Sequence, residues 1–238
     1  MATNAWSKTD RGLKREGNQD SFIASPDIGL FVVADGMGGH SGGEVASKMA
    51  VEAIDGSLRQ PRLQKSPRES LVEGYAEASR RIFDKAAYEQ PELLGMGTTM
   101  VSILQSGNSI FVGNVGDSRC YLYRKPHLWQ LTEDHSIVNE QLRAGLINEQ
   151  QAKTFLGRNV ITRSVGYERE VSVDVLERPF TAGDVFLLCS DGLSGLVSDQ
   201  KMAEIFNRNP LEVAADVLLQ TALENGGDDN VTVMIVAP

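Results

Sequence analysis

Aspartates stand at the ends of five apolar runs. "LFVVADG" reaches Asp35 and Gly36, "VFLLCSDG" reaches Asp191 and Gly192, and "FVGNVGD" reaches Asp117. Asp20 in "GNQD" stands just before a further apolar stretch, and Asp228, Asp229 and Asn230 in "GGDDN" stand just before the last one. One Asp-Gly after a strand is an ordinary turn, because both residue types suit turn geometry. Acids repeated at equivalent places on several strands can converge at one edge of the sheets. Carboxylates gathered there repel each other by about 1 to 4 kcal/mol per pair at ~4 Å, depending on the local dielectric. A fold holds them together when a cation sits between. Oxygen ligands that leave positions open for water suit Mg²⁺ or Mn²⁺. Zinc has no ligand set: the histidines are His40, His127 and His135, and neither HExxH nor CxxC occurs. The glycines after Asp35 in "DGMGGHSGGE" leave room for backbone carbonyls and a substrate to approach a metal. This stretch is not a nucleotide loop, since it holds no GxxxxGK[ST] and its spacing does not match GxGxxG ahead of a helix.

The elements that must position these acids alternate in blocks. "DSFIAS" and "IGLFVVAD" are two short strands joined by a turn at Pro26 and Asp27. "GGEVASKMAVEAIDGSL" has helical spacing, with Val45, Met49 and Ala53 on one line and Ala46, Ala50 and Ile54 beside it. Pro67 to Tyr88 reads as a second helix with Leu71, Tyr75, Ala78 and Ile82 on one face. Three strands follow, "TTMVSILQ", "SIFVGNVG" and "SRCYLYRK", and the turns between them, "SGN" and "GD", suit antiparallel hairpins. From Asp134 to about Arg163 the pattern weakens into short helical pieces. "EVSVDVLE", "DVFLLCSD" and "NVTVMIVAP" read as strands, and "DQKMAEIF" and "PLEVAADVLLQTALE" as helices. Strand clusters mixed with helix pairs predict an α+β fold with largely antiparallel sheets. No Pro-, Gly- or Ser-rich linker and no repeat divides the sequence, so residues 1–238 read as one domain.

Hydrophobic residues make up 41% and charged residues 23%, an ordinary globular composition. The formal net charge of -9 argues against a nucleic-acid surface, because phosphate backbones recruit Lys and Arg. The N-terminal stretch lacks the apolar segment of a signal peptide, and no apolar run approaches the ~18 residues of a membrane span. These features point to a cytoplasmic protein with neither a membrane nor a nucleic-acid partner. Cys120 and Cys189 lie in apolar stretches and read as buried thiols on neighbouring strands, not as a disulfide framework.

The order "REGNQD", "VVADGMGGH", "GTT", "VGDSR", "LLCSDGL", "GGDDNVTVMIV" resembles the metal-dependent type 2C serine/threonine protein phosphatases, above all the compact bacterial members. The likeness runs from Thr9 to Val236. It implies a β-sandwich of two antiparallel sheets flanked by pairs of α-helices, with two metal ions, Mn²⁺ or Mg²⁺, at one end and a small flap, at about residues 145–164, beside them. It further implies that Asp35 bridges the ions, that the Gly36 carbonyl ligates one, and that Asp191 and Asp229 hold the other. Asp117 with Asp191 would supply a third ion, Asp20 would orient metal-bound waters, and Asn230 would brace the carboxylates. The reaction implied is direct attack of a metal-bridging hydroxide on phosphoserine or phosphothreonine, with Arg15 gripping the phosphate through its guanidinium fork. Substrates would be phosphorylated proteins, the biological setting would be opposition to a bacterial Ser/Thr kinase, and the chain would be a monomer.

Some positions depart from that pattern. Met37 stands where animal-type members carry a histidine, so His40 or a metal-bound water becomes the general acid. Gln19 replaces a glutamate found in many relatives, leaving the surroundings of the metals less anionic. Asp134 and His135 read as a helix N-cap and its neighbour, and His127 as an exposed turn residue. Arg158 and Arg163 lie within the flap stretch and could meet phosphorylated or acidic substrates. A cysteine-based tyrosine phosphatase is excluded, because neither cysteine has an arginine six positions on. A catalytically dead phosphoprotein-binding module is disfavoured by the presence of Asp35, Asp191 and Asp229; a metal-dependent phosphodiesterase would use the same acids and needs a phosphopeptide panel to separate it.

Overall fold

The computed structural model describes residues 3–60, 65–152, 154–157 and 159–238, with the side chains of residues 39–41 outside it. The chain starts with β1 (Asn4–Asp10), β2 (Asp20–Ser25), β3 (Leu30–Met37), α1 (Gly39–Arg59) and α2 (Pro67–Asp84). Next come β4 (Gly97–Thr98), β5 (Met100–Ser106), β6 (Ser109–Val115), β7 (Arg119–Arg124) and β8 (His127–Gln130). Then follow α3 (Ile137–Arg143), α4 (Glu149–Ala152), β9 (Asp174–Pro179) and β10 (Val185–Cys189). The last elements are α5 (Asp191–Ser194), α6 (Asp199–Arg208), α7 (Leu211–Glu224) and β11 (Val231–Ala237).

All named strand pairings are antiparallel. One sheet has the order β1-β11-β10-β7-β8 and the other β2-β3-β5-β6-β9, with β4 paired to β3. Side chains alternate across a strand, so each sheet has an inner and an outer set. Phe31, Val33, Val101 and Ile103 of one sheet meet Leu122, Phe186, Leu188 and Met234 of the other. On the outer face Leu30, Val32 and Ala34 pack on Ala50 and Ile54 of α1 and Tyr75 of α2. The second sheet turns Leu187, Val233 and Ile235 onto Met202 and Phe206 of α6 and Leu218 of α7. Each large side chain so buried is worth roughly 1.5–3 kcal/mol, which is why the apolar pattern dictates these layers. The result is the expected sandwich with helix pairs outside. At the start of α2, Ser66 and Glu69 cap each other reciprocally and Pro67 occupies the first turn.

Several sequence expectations need correction. β1 was not anticipated, because "NAWSKTD" is an edge strand with few apolar residues; its register along β11, Asn4↔Ala237 to Asp10↔Val231, carries it. β8 was missed for the same reason, and His127 is its exposed first residue, not a turn. The "SGN" turn does make the β5–β6 hairpin, Ser106↔Ser109, but "GD" does not make one. Gly116 and Asp117 instead carry the chain from β6 in one sheet to β7 in the other. The second helix ends at Asp84 and widens into a π-helical turn over Lys85–Glu89. β9 starts at Asp174, later than "EVSVDVLE" suggested. Cys120 and Cys189 are free, buried and on neighbouring strands, but on opposite faces of their sheet. Among the described residues, no helix is long and apolar enough to cross a membrane.

Candidate active site

At one end of the sandwich the inward-facing positions stop being apolar. The alternation of β3 that places Phe31 and Val33 between the sheets also places Asp35 there. Asp20, the first residue of β2, stands directly opposite it in the register. Asp20 Oδ2 accepts hydrogen bonds from Ser190 Oγ (2.8 Å) and Thr232 Oγ1 (2.7 Å), on the inner face of the facing sheet. Thr99 Oγ1 accepts from the Asp35 amide at 3.0 Å and shares a 2.7 Å hydrogen bond with Ser118 Oγ. Four hydroxyls therefore form a floor between the hydrophobic core and the acids. These four were not picked out from the sequence, although each continues the inward alternation of its strand one step past the last apolar side chain.

The backbone around Asp35 is held on both sides. Its carbonyl accepts from Thr99 N and Thr98 Oγ1, both at 2.8 Å, which is the use of the "TT" in "GTT". Gly36 N donates to the Gln19 carbonyl at 3.1 Å. A Cβ at Gly36 would lie 2.0 Å from the Gly43 carbonyl oxygen, so the glycine run exists partly to let the first turns of α1 touch β3 backbone to backbone. Asp117 is placed by the crossover turn, where Gly116 N donates to His135 Nδ1 at 3.0 Å and Gly116 O accepts from His135 N at 3.0 Å. His135 is buried and its Nε2 pairs with Asp174 Oδ2 at 3.1 Å. Asp134 is not the N-cap of α3; Ser136 is, and Asp134 instead takes the Arg119 guanidinium in a two-pronged pair.

Asp191 opens α5, and Asp229 precedes β11. Arg15 Nη2 donates to Asp229 Oδ2 at 2.6 Å. Asn230 does not brace carboxylates through its side chain: its Oδ1 accepts from Gln19 N, and its Nδ2 donates to the carbonyls of Arg11 and Gly17. It thereby fixes the loop that carries Arg15, while its backbone N donates to Asp229 Oδ1 at 2.8 Å. A cavity of about 490 Å³ opens here, lined by Arg15, Asp35, Gly36, Asp117, Asp191 and Asp229, with Asn159 and Ile161 from the flap side. The structure thus gathers Arg15, Asp35, Gly36, Asp117, Asp191 and Asp229 around one cavity, with Asp20 beneath them. His40 lies in the first turn of α1, but its side chain is outside the described residues, as is Arg158. Arg163 stands away from the acids, paired with Asp174. Asp228 also stands apart, pairing with Lys14.

The cluster is electrostatically costly on its own. Burial pushes Asp20 from 3.8 up to about 7, with its hydroxyl donors opposing and Asp191 and Asp229 adding repulsion. Burial, then Asp191 and Asp134, push Asp117 up to about 7. Burial and the neighbouring acids raise Asp35 well above its ordinary value, and burial and Asp229 raise Asp191. Asp20 Oδ1 and Asp191 Oδ1 are buried without a hydrogen-bond partner. Orphaned carboxylate oxygens among repelling acids fit hard divalent cations. Among the described residues no three His, Cys, Asp or Glu side chains are close enough together to hold an ion by themselves.

A pH dependence follows. Groups whose folded pKa is raised favour the folded state below their unfolded pKa, and that contribution is lost as pH rises through the folded value. Without metal, the melting temperature should fall between about pH 4 and pH 7 as Asp20 and Asp117 are forced to ionise. The increment from added Mn²⁺ should grow over the same window, because only ionised carboxylates ligate. Thermal melts in EDTA and in Mn²⁺ across this range test it; a metal increment independent of pH would contradict it.

A family model described as protein phosphatase 2C matches residues 13–225. The serine/threonine phosphatase stp of Listeria monocytogenes is 39% identical over 236 residues, covering 96% of this chain and 93% of that one. The crystal structure of the Mycobacterium tuberculosis serine/threonine phosphatase PstP/Ppp superposes with a TM-score of 0.92 at 35% identity, covering 100% of this chain and 99% of that one. The catalytic domain of PstP in complex with two manganese ions superposes with a TM-score of 0.89 at 36% identity, covering 99% and 97%. Sequence, fold and the acids at the sheet ends agree: the chain belongs to the protein phosphatase 2C family.

Proposed function

We propose that this protein hydrolyses phosphoserine and phosphothreonine in proteins with the help of two divalent cations, Mn²⁺ or Mg²⁺. The observation that carries the reading is the gathering of Asp35, Asp117, Asp191 and Asp229 around one cavity with Arg15 at its edge, with partnerless carboxylate oxygens buried on Asp191 and on Asp20 beneath it. Asp35 and the Gly36 carbonyl would hold the first ion, Asp191 and Asp229 the second, and Asp117 with Asp191 a third. When bound, such ions make hydroxide available near neutral pH and neutralise phosphate charge. Asp20 keeps its Oδ2 on Ser190 and Thr232 and leaves Oδ1 to orient water. Arg15, now on Asp229, turns its guanidinium to two phosphate oxygens, a geometry that a lysine does not supply. The proton for the departing Ser or Thr oxygen would come from His40, at the start of α1, or from a metal-bound water. The substrates would be products of a Ser/Thr kinase, and the enzyme would work as a monomer in the cytoplasm.

The test is phosphate release from a phosphothreonine peptide in Mn²⁺, in Mg²⁺ and in EDTA. Release should stop with EDTA, and Asp191→Ala should abolish it. Arg15→Ala should lower kcat/KM by about 10- to 100-fold, the worth of a charge-assisted hydrogen bond, with part of the loss in KM. Release that persists in EDTA would overturn the reading.

A further inference from the structure

A second cavity, of about 600 Å³, adjoins the one that holds the acids. Met37, Asn159 and Ile161 line both, so the two are one continuous depression divided by these side chains. Its walls differ in kind from those of the acidic cavity. Val160 is 47% exposed and Tyr167 60% exposed, and Val171 beside them is rooted in the core under α2. Exposed apolar side chains set in a concavity mark a surface that binds something.

The groove is also preformed. Gly166 N donates to Ser79 Oγ at 2.9 Å, and Ser79 Oγ donates to the Glu168 carbonyl at 2.7 Å, with Ser79 buried in α2. Arg169 pairs with Asp84 at 3.0 Å, which ties the next turn of the wall to the same helix. A wall fixed in this way loses little entropy on binding. Charge gives the groove a direction. Arg163 is already engaged by Asp174 at 2.9 Å and by the Ser172 carbonyl at 3.3 Å. Glu168 and Glu170, both exposed, line the same groove, so a cation is the complementary guest.

Resting on the phosphatase reading above, we propose that this groove receives the substrate polypeptide on one side of the phosphorylated residue. It takes an apolar side chain against Val160, Tyr167 and Val171, and a lysine or arginine against Glu168 and Glu170. The occupant is a peptide continuous with the phosphoresidue, because the groove opens directly from the cavity where the phosphate must sit.

The experiment compares phosphothreonine peptides carrying Lys or Glu at successive positions on either side of the phosphoresidue, with an apolar neighbour kept constant, in Mn²⁺. Lys should exceed Glu in kcat/KM by about fivefold, the scale of an exposed ion pair, on one side only. Glu168→Lys with Glu170→Lys should invert that ratio. Tyr167→Ala should lower kcat/KM for the apolar peptide by about tenfold, chiefly through KM. A small aryl phosphate separates the two levels of failure. If it too is not turned over with metal, the phosphatase reading falls. If it is turned over but the Lys-to-Glu ratio stays near unity in both proteins, the groove proposal falls. Concentration-dependent self-association that Tyr167→Ala abolishes, without any peptide preference, would make the face a contact between copies and would equally overturn the proposal.

Discussion

Asp35→Asn should abolish metal-dependent phosphate release while leaving a protein that folds and, in EDTA, melts at a higher temperature than the parent. The two halves of this result come from one position. Asp35 faces Asp20 across the β2–β3 register and is raised by burial and by Asp20, Asp191 and Asp117. Asparagine has the same shape, removes one of the repelling charges and offers a donor to the acids around it. On the proposed assignment the metal would lose a charged ligand. Changing even an outer partner of a metal ligand typically costs about 10- to 100-fold, so removing a carboxylate that would itself hold the ion should cost more than about 10²-fold in kcat/KM. Steady-state kinetics with a phosphothreonine peptide and melts in EDTA check both halves. Near-parental turnover would remove Asp35 from the centre of the chemistry.

Gly36→Ala should be nearly as damaging for a different reason. The added methyl would meet the Gly43 carbonyl oxygen at 2.0 Å and the Gln19 carbonyl oxygen at 2.7 Å. Both are backbone atoms, so no side-chain rotation relieves the contact. Either α1 or the Gln19 segment must move, and both border the cavity. Overpacking of this kind costs up to about 3 kcal/mol or more, which lowers the melting temperature of a domain this size by roughly 6–12 °C. Gly56→Ala in α1 is the control: nothing lies within 4 Å of its Cβ position, and the change should stabilise the helix by about 0.5–1 kcal/mol. A Gly36→Ala protein that melts with the parent and keeps its activity would show that the close approach is not required.

Much of the site was legible because it sits at the ends of strongly apolar strands. Runs such as "LFVVAD" and "VFLLCSD" announce both the strand and the acid that terminates it. Their convergence was inferable, since strands of one sandwich end together. The weaker signals came from elements that use little apolar surface. Edge strands β1 and β8 are held by ladder hydrogen bonds to β11 and β7, and hydrogen bonds leave no hydrophobic period to read. A tight Gly-Asp turn looks the same in sequence when it closes a hairpin and when it changes sheet, so the placement of Asp117 by a crossover emerged only in three dimensions. The roles of Ser190, Thr232, His135 and Asn230 depend on partners far away in the chain. The groove wall was hidden for the same reason, being fixed by Ser79 from a helix nearly ninety residues earlier, at a separation of 87 for the Gly166 contact.

The acids also constrain the order in which the molecule can be assembled. Asp20 meets Ser190 across 170 residues and Thr232 across 212, and Arg15 reaches Asp229 across 214. Contacts of such separation carry a large loop-closure cost and belong late on a folding route. The β2–β3 ribbon can form early, yet its carboxylates have no facing sheet until β10 and β11 have docked. A cation therefore has nothing to nucleate around: it should leave the refolding rate unchanged and instead slow unfolding, locking the two sheets together only after they have met.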